Sequence, residues 1–449
     1  MRGLRSTILL LVLAAGLGAY LYFVDAKKPV GDTTTKQKIF SLDAAKIEQV
    51  ELKSTAGSST TLKKGADGWS IVQPAAAPAD QNTAADIAAS LATLEQDRVV
   101  DDNATDLKPY GLAPPRIDVT FTVAGEKDPR HLQIGDKSPT SMGIYARVPD
   151  SNKVYLVSNS LDSSLGKSTF DLRDKTALKF DQEKVDSVDL VSKSDTIRLV
   201  RSGDQWKLSK PVDAPADLTS VEGLIGQLHS SQMSALKDSP EEVKDLKKFG
   251  LDKPEVTATL GIGSARVVLE LGSAAETGTF WARDASKPNV FSISSGLADE
   301  LRKKPFDFRR KEIFEFRPFN TTRFEIVRGK ETRAFERVKG TGPNPTDTWK
   351  QVVPADKAVD ASNLEGALLE FSNLRAQAAV DKAGPETGLN NPFAVITVKF
   401  DDGKKEERVT IGKPGSSPDV FASRPDQPGA LKVETGKFDD ALKKLDAIK

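Results

Sequence analysis

Side chains able to do chemistry are few in this chain, and their spacing is the first thing to weigh. Cysteine is absent, which removes thiolate nucleophiles, iron–sulfur ligation and cysteine-based zinc sites. The two histidines, His131 and His229, stand at unmatched positions, one entering a strand and one ending a helix, with no HxxxH-type spacing beside either. They supply neither a metal set nor a catalytic triad. The glycine-bearing loops LGIGSARVV (260–268) and IGKPGSSPD (411–419) contain pieces of phosphate-loop vocabulary. No GK[ST] opens a helix there, and GIG followed by strand residues reads as a hairpin. Acidic residues are plentiful, yet none forms a spacing that singles out an acid and a base. No catalytic, cofactor-binding or metal-binding residue is assigned, and the chain is expected not to be an enzyme.

Three carboxylates do recur. Asp80, Asp217 and Asp360 each follow a proline by six residues, and each proline (Pro74, Pro211, Pro354) follows a tryptophan by five (Trp69, Trp206, Trp349). Such a carboxylate suits either a metal or the start of a helix. After each one, apolar residues fall at steps of three, four and seven, as in Val221, Leu224, Ile225 and Leu228, so the aspartates read as helix N-caps. The three tryptophans at equivalent strand positions read as packing.

Two features are left as a candidate interaction surface. Trp281 aligns with Tyr145 and Phe421, an aromatic set before an alanine in a strand, where a ring can floor a groove. The stretch KPFDFRRKEIFEFRPF (304–319) interleaves aromatics with arginine, and Arg309, Arg310 and Arg317 are its residues to test.

The elements that must position these residues come in three copies. Alternating segments such as VELKS, VDLVS and FEIVR precede each tryptophan, and further alternating segments follow each helix, so each copy is expected to hold two strand sets divided by an amphipathic helix and closed by a short one. The fold class expected is α+β, an N-terminal transmembrane helix followed by three tandem repeats. The phrases YGLAPP (110–115), FGLDKP (249–254) and TGLNNP (387–392) mark the same junction in each copy, where the chain leaves a helical segment and starts extended. A glycine there supplies a positive φ, and a proline starts an edge strand without needing a ladder donor. The copies run 39–176, 177–312 and 313–449.

Ahead of them lies an uncharged run, residues 6–24, preceded by Arg2 and Arg5. Nineteen residues at a helical rise reach across a bilayer, so residues 1–25 read as an uncleaved signal anchor and 26–38 as a polar linker. The charge bias puts the N-terminus in the cytoplasm and the body on the far side of the membrane. Sixty-four basic residues balance 64 acidic ones, so no global field attracts nucleic acid.

The W-x4-P-x5-D spacing, the Gly-Leu-x-x-Pro turn, the Ile/Leu-Gly strand end and the aromatic-Ala strand resemble the bacterial family catalogued as domain of unknown function 4340. Residues 69–157 carry the closest likeness, and the third copy departs most, with Thr387 before the Gly-Leu pair and Ser423 where the other copies have arginine. The resemblance implies a single-span accessory subunit of an ABC-type transport system, with permease subunits as partners; no cofactor is expected. The expectation is a membrane-anchored extracytoplasmic scaffold. The alternative is a binding module for a lipid, glycan or peptide chain, and the weakest reading is a carboxylate-based hydrolase.

Overall fold

The computed structural model describes residues 37–54, 59–341, 346–413 and 418–448. Its first sheet has nine strands: β1 (Ile47–Ser54), β2 (Ser59–Gly65), β3 (Gly68–Gln73), β4 (Ala77–Pro78), β5 (Gln96–Asp101), β6 (Ile117–Val123), β7 (Arg130–Lys137), β8 (Ile144–Arg147) and β9 (Val154–Val157). They lie in the order β4-β3-β2-β1-β6-β7-β8-β9-β5, and the same order recurs in two further nine-stranded sheets. Each neighbouring pair is antiparallel.

This corrects the α+β expectation of strand sets divided by a helix. The strands before and after the helix join into one sheet, because the first strand pairs with the first strand of the second set. Val50 faces Phe121, Val188 faces Leu260 and Phe324 faces Val398. The helix only carries the chain over one face, from one sheet edge to the other. The protein is therefore mostly antiparallel sheet with few helices. No helix among the described residues is long and apolar enough to cross a membrane. The transmembrane expectation rested on residues 6–24, which lie outside the described residues.

The aspartates start the face-covering helices. Asp80 accepts from the Thr83 amide at 2.7 Å, Asp217 from Ser220 at 2.8 Å and Asp360 from Asn363 at 2.8 Å, each meeting an amide that the first helical turn leaves unpaired. The helices Gln81–Ala92, Leu218–Ser230 and Ala361–Ser372 bury the stripes that their sequences mark, for example Leu364, Ala367, Leu368 and Phe371. Each stripe closes a separate apolar core against one sheet face.

The turn glycines Gly111, Gly250 and Gly388 hold φ of 63°, 68° and 68°, the left-handed region where a side chain is strained. A second glycine in each copy explains why the turn sits where it does. A Cβ on Gly135, Gly272 or Gly412 would stand 2.1 Å from the carbonyl oxygen of Tyr110, Phe249 or Thr387, so the strand end must be bare for the turn to seat.

The chain divides into two compact units, Met1–Lys175 and Thr176–Lys449, the second of which holds the second and third copies.

Candidate functional site

The stretch 304–319 runs between the second and third copies, and most of its large side chains face inward. Phe308, Ile313, Phe314 and Phe316 are fully buried. Arg309 goes in with them, at 1% exposure. Its Nε donates to Gln427 Oε1 at 2.9 Å and its Nη2 to the Pro428 carbonyl at 2.7 Å. Burial pulls its pKa below the usual value for a guanidinium, against the pull of Asp381 and Asp426. Arg309 therefore holds two parts of the chain together and offers no surface. Arg310 donates to Glu315 at 2.7 Å and also pairs with Asp426. Arg317 donates to the Phe316 carbonyl at 2.9 Å and to the Ser372 carbonyl at 3.3 Å, at the end of the helix Ala361–Ser372.

The centre of this junction is Arg424, which the sequence reading missed. Its guanidinium donates to the Ile313 carbonyl at 2.6 Å, Glu407 at 3.2 Å, Glu315 at 3.0 Å and Asp426 at 2.9 Å. Glu407, itself buried, also accepts from the backbone amides of Glu315 at 2.9 Å and Phe316 at 3.0 Å. Burial lowers the Arg424 pKa, but the hydrogen bond and charge of Asp426, with Glu407 and Glu315, outweigh it and hold the group above its ordinary value. Burial likewise pushes Asp426 up, and Arg424 and Arg310 bring it below the usual carboxylate range. A signal existed: Ser423 stands where the other copies have Arg147 and Arg283, and the third copy's arginine comes one residue later.

One ring in the stretch faces out. Phe319 is 79% exposed, beside Arg317 and out of phase with the buried phenylalanines because Pro318 begins a short 3₁₀ turn. Trp281 is half-buried and packs edge-on against Phe249, ring centroids 5.0 Å apart, in a small outer cluster with Leu251 and Val290. Tyr145 packs on Tyr110 in the same way at 5.1 Å. In the first two copies the ring before the Gly-Leu turn and the ring before the strand alanine are thus partners.

The recurring tryptophans are also structural. Trp206 donates to Glu222 at 2.7 Å beneath Arg201, and Trp349 to Glu365 at 3.1 Å beneath Arg337. His131 meets Thr120 at 3.2 Å, and His229 packs on Phe180. Among the described residues no group of three or more His, Cys, Asp or Glu side chains is placed to hold a metal ion.

A family model described as "Domain of unknown function (DUF4340)" matches residues 69–210 and again 206–392. The two matches begin at Trp69 and Trp206, equivalent positions of the first and second copies. No curated protein matches the sequence. Among solved structures, a DNA polymerase sliding clamp from Pseudomonas aeruginosa, crystallised with ligand, aligns over 88% of this chain and 92% of its own at 8% identity. Its TM-score is 0.14, too low to carry any argument about fold.

Proposed function

The chain belongs to the DUF4340 family, and from that membership we propose a non-enzymatic accessory protein that docks membrane-protein partners such as ABC-type permease subunits. In this reading residues 6–24 tether it to a bacterial inner membrane, with the three sheets on the extracytoplasmic side. The observation that carries it is the use of the repeated residues. Caps, turn glycines, ring pairs and tryptophans all go into architecture, and one face of each sheet into a core. The opposite faces carry Thr120 and Thr122, Thr257 and Thr259, or Glu325 and Thr397, all half-exposed. These are broad polar platforms of the kind repeat proteins offer to partners. Straps cover one edge of the first two sheets: the Asp174 amide donates to the Pro78 carbonyl, and the Arg310 amide to the Pro215 carbonyl. Faces, more than those edges, are what the protein offers.

Phe319 marks the first place to probe, since the second copy has Glu183 at the matching position. The test is cross-linking and purification of the tagged full-length chain from membranes, followed by identification of bound proteins. Permease subunits that accompany the native chain and are reduced by Phe319→Asp support the reading. A native chain that captures no membrane protein overturns it.

A further inference from the structure

One corner of the second copy is open. The hairpin after the strand Ser187–Ser192, the turn at Gly250, the strand end at Gly272 and the end of the helix Ser295–Leu301 surround a cleft of about 560 Å³. Its floor is aliphatic, from Leu190, Ile197, Val256 and Leu301. Its rim is cationic. Of the rim carboxylates, Asp195 takes Lys304 at 3.0 Å and Glu255 takes Arg302 at 2.7 Å, while Lys303 turns to Glu300 at 2.6 Å. Lys193 and Lys253 stand exposed on the rim without an acidic partner among the described residues.

The fold does not require this opening. In the first copy Arg116 occupies the position of Glu255 and pairs with Asp162 at 2.7 Å, a bridge of reversed charge to a residue one helical turn before the position of Arg302, over a lining that is largely polar. In the third copy Phe393 occupies it and packs edge-on against Phe438 at 6.2 Å. There the closing helix runs on to Asp446, which Arg328, in the place of Ser192, holds through two hydrogen bonds, at 2.9 and 2.6 Å. One backbone plan therefore plugs this corner or bridges it, and among the described residues only the second copy combines an apolar floor with unpaired cations.

We propose that this cleft binds a small anionic amphiphile, an acid-headed single acyl chain, with its tail on the aliphatic floor and its head at Lys193 and Lys253. The size fits a small-molecule site, and a few charged groups over an apolar lining are what orient such a ligand. Lysine stems extend the apolar wall while the ammonium groups stay in water to meet the head. The inference stands apart from the docking reading, since either can hold without the other.

The test uses the full chain and a dodecanoic acid bearing a photoreactive diazirine in its tail, with labelled peptides mapped by mass spectrometry. Labelling is expected to concentrate on 190–197, 250–256 and 301–304 and to fall sharply for the methyl ester. The double variant Lys193→Ala/Lys253→Ala should weaken labelling about three- to tenfold, the value of two exposed ion pairs. Glu255→Phe, which gives the second copy the third copy's plug, should abolish it even though the variant gains positive charge. Labelling that is spread over the sheets, or that survives Glu255→Phe, overturns the proposal. Displacement of the probe by an acidic peptide, with no dependence on acyl length, overturns it in favour of a peptide site.

Discussion

The second and third copies share a strand order and a cap, yet two equivalent positions carry opposite chemistry. Where the second copy has Glu255 bridged to Arg302, the third has Phe393 against Phe438. Where the second copy has Asp284, satisfied close by through Ser286 at 2.6 Å and Lys287 at 2.9 Å, the third has Arg424, which reaches residues far away in sequence. The second copy satisfies Asp284 locally and leaves a corner open. The third uses the same corner for packing and commits its charge to the junction with the preceding copy. Architecture thus sets which positions must be filled, and each copy decides whether a charge or a ring fills them.

That contrast is breakable at several points. The largest effect is expected from Phe438→Ala, which removes a fully buried ring packed on Phe371 and Phe393. It should cost about 3–5 kcal/mol in urea unfolding of the full chain, the range for deleting a core phenylalanine. A loss under about 1 kcal/mol would mean that the third copy's plug is no more structural than the second copy's bridge.

Next comes Arg424→Met, which leaves Glu407 buried without its cation. About 3 kcal/mol should be lost at neutral pH, the lower end for one partner of a buried pair, because Glu315 and Asp426 keep contact with water. The pH dependence sharpens this. The folded protein holds Asp426 below its ordinary value, so its contribution is complete above the unfolded pKa of about 3.9 and fades as pH falls through the lower folded value. Native and Arg424→Met chains should therefore converge in stability on acidification below pH of about 4, as read by unfolding titrations. A gap that stays constant would place the cost of the variant in packing alone.

Asp217→Ala and Asp360→Ala test what the two copies share. Each removes one cap and should cost about 1 kcal/mol, nearly equal in both copies, with faster hydrogen exchange confined to the first turn of its own helix. The smallest effect belongs to Glu255→Gln. Its bridge is part exposed, so the change should stay below about 1 kcal/mol and shrink further in high salt.

Much of each copy was legible because the rules that write it act over a few residues. A carboxylate before an i, i+3, i+4 stripe caps a helix, and alternation marks a strand with one buried face. A glycine-leucine turn takes positive φ whatever surrounds it. The short edge strands were harder to see: Gln96–Asp101 carries no clear alternation and buries neither face fully. Trp281 and its partner Phe249 were each visible, but their contact was not, because they lie on elements that only the sheet brings together.

By itself, the sequence determined that one pattern is written three times, where its helices begin, where its turns fall and which residues face each core. Those features follow from periods and dihedral preferences confined to neighbouring residues. Only the tertiary structure decided that strands on both sides of a helix form one nine-stranded sheet and that Arg309 lies inside. It alone brought Arg424 to Glu407 and left the second copy's corner open. Arg309 and Gln427 are 118 residues apart, and a contact at that separation depends on how whole sheets are joined, which no local spacing encodes.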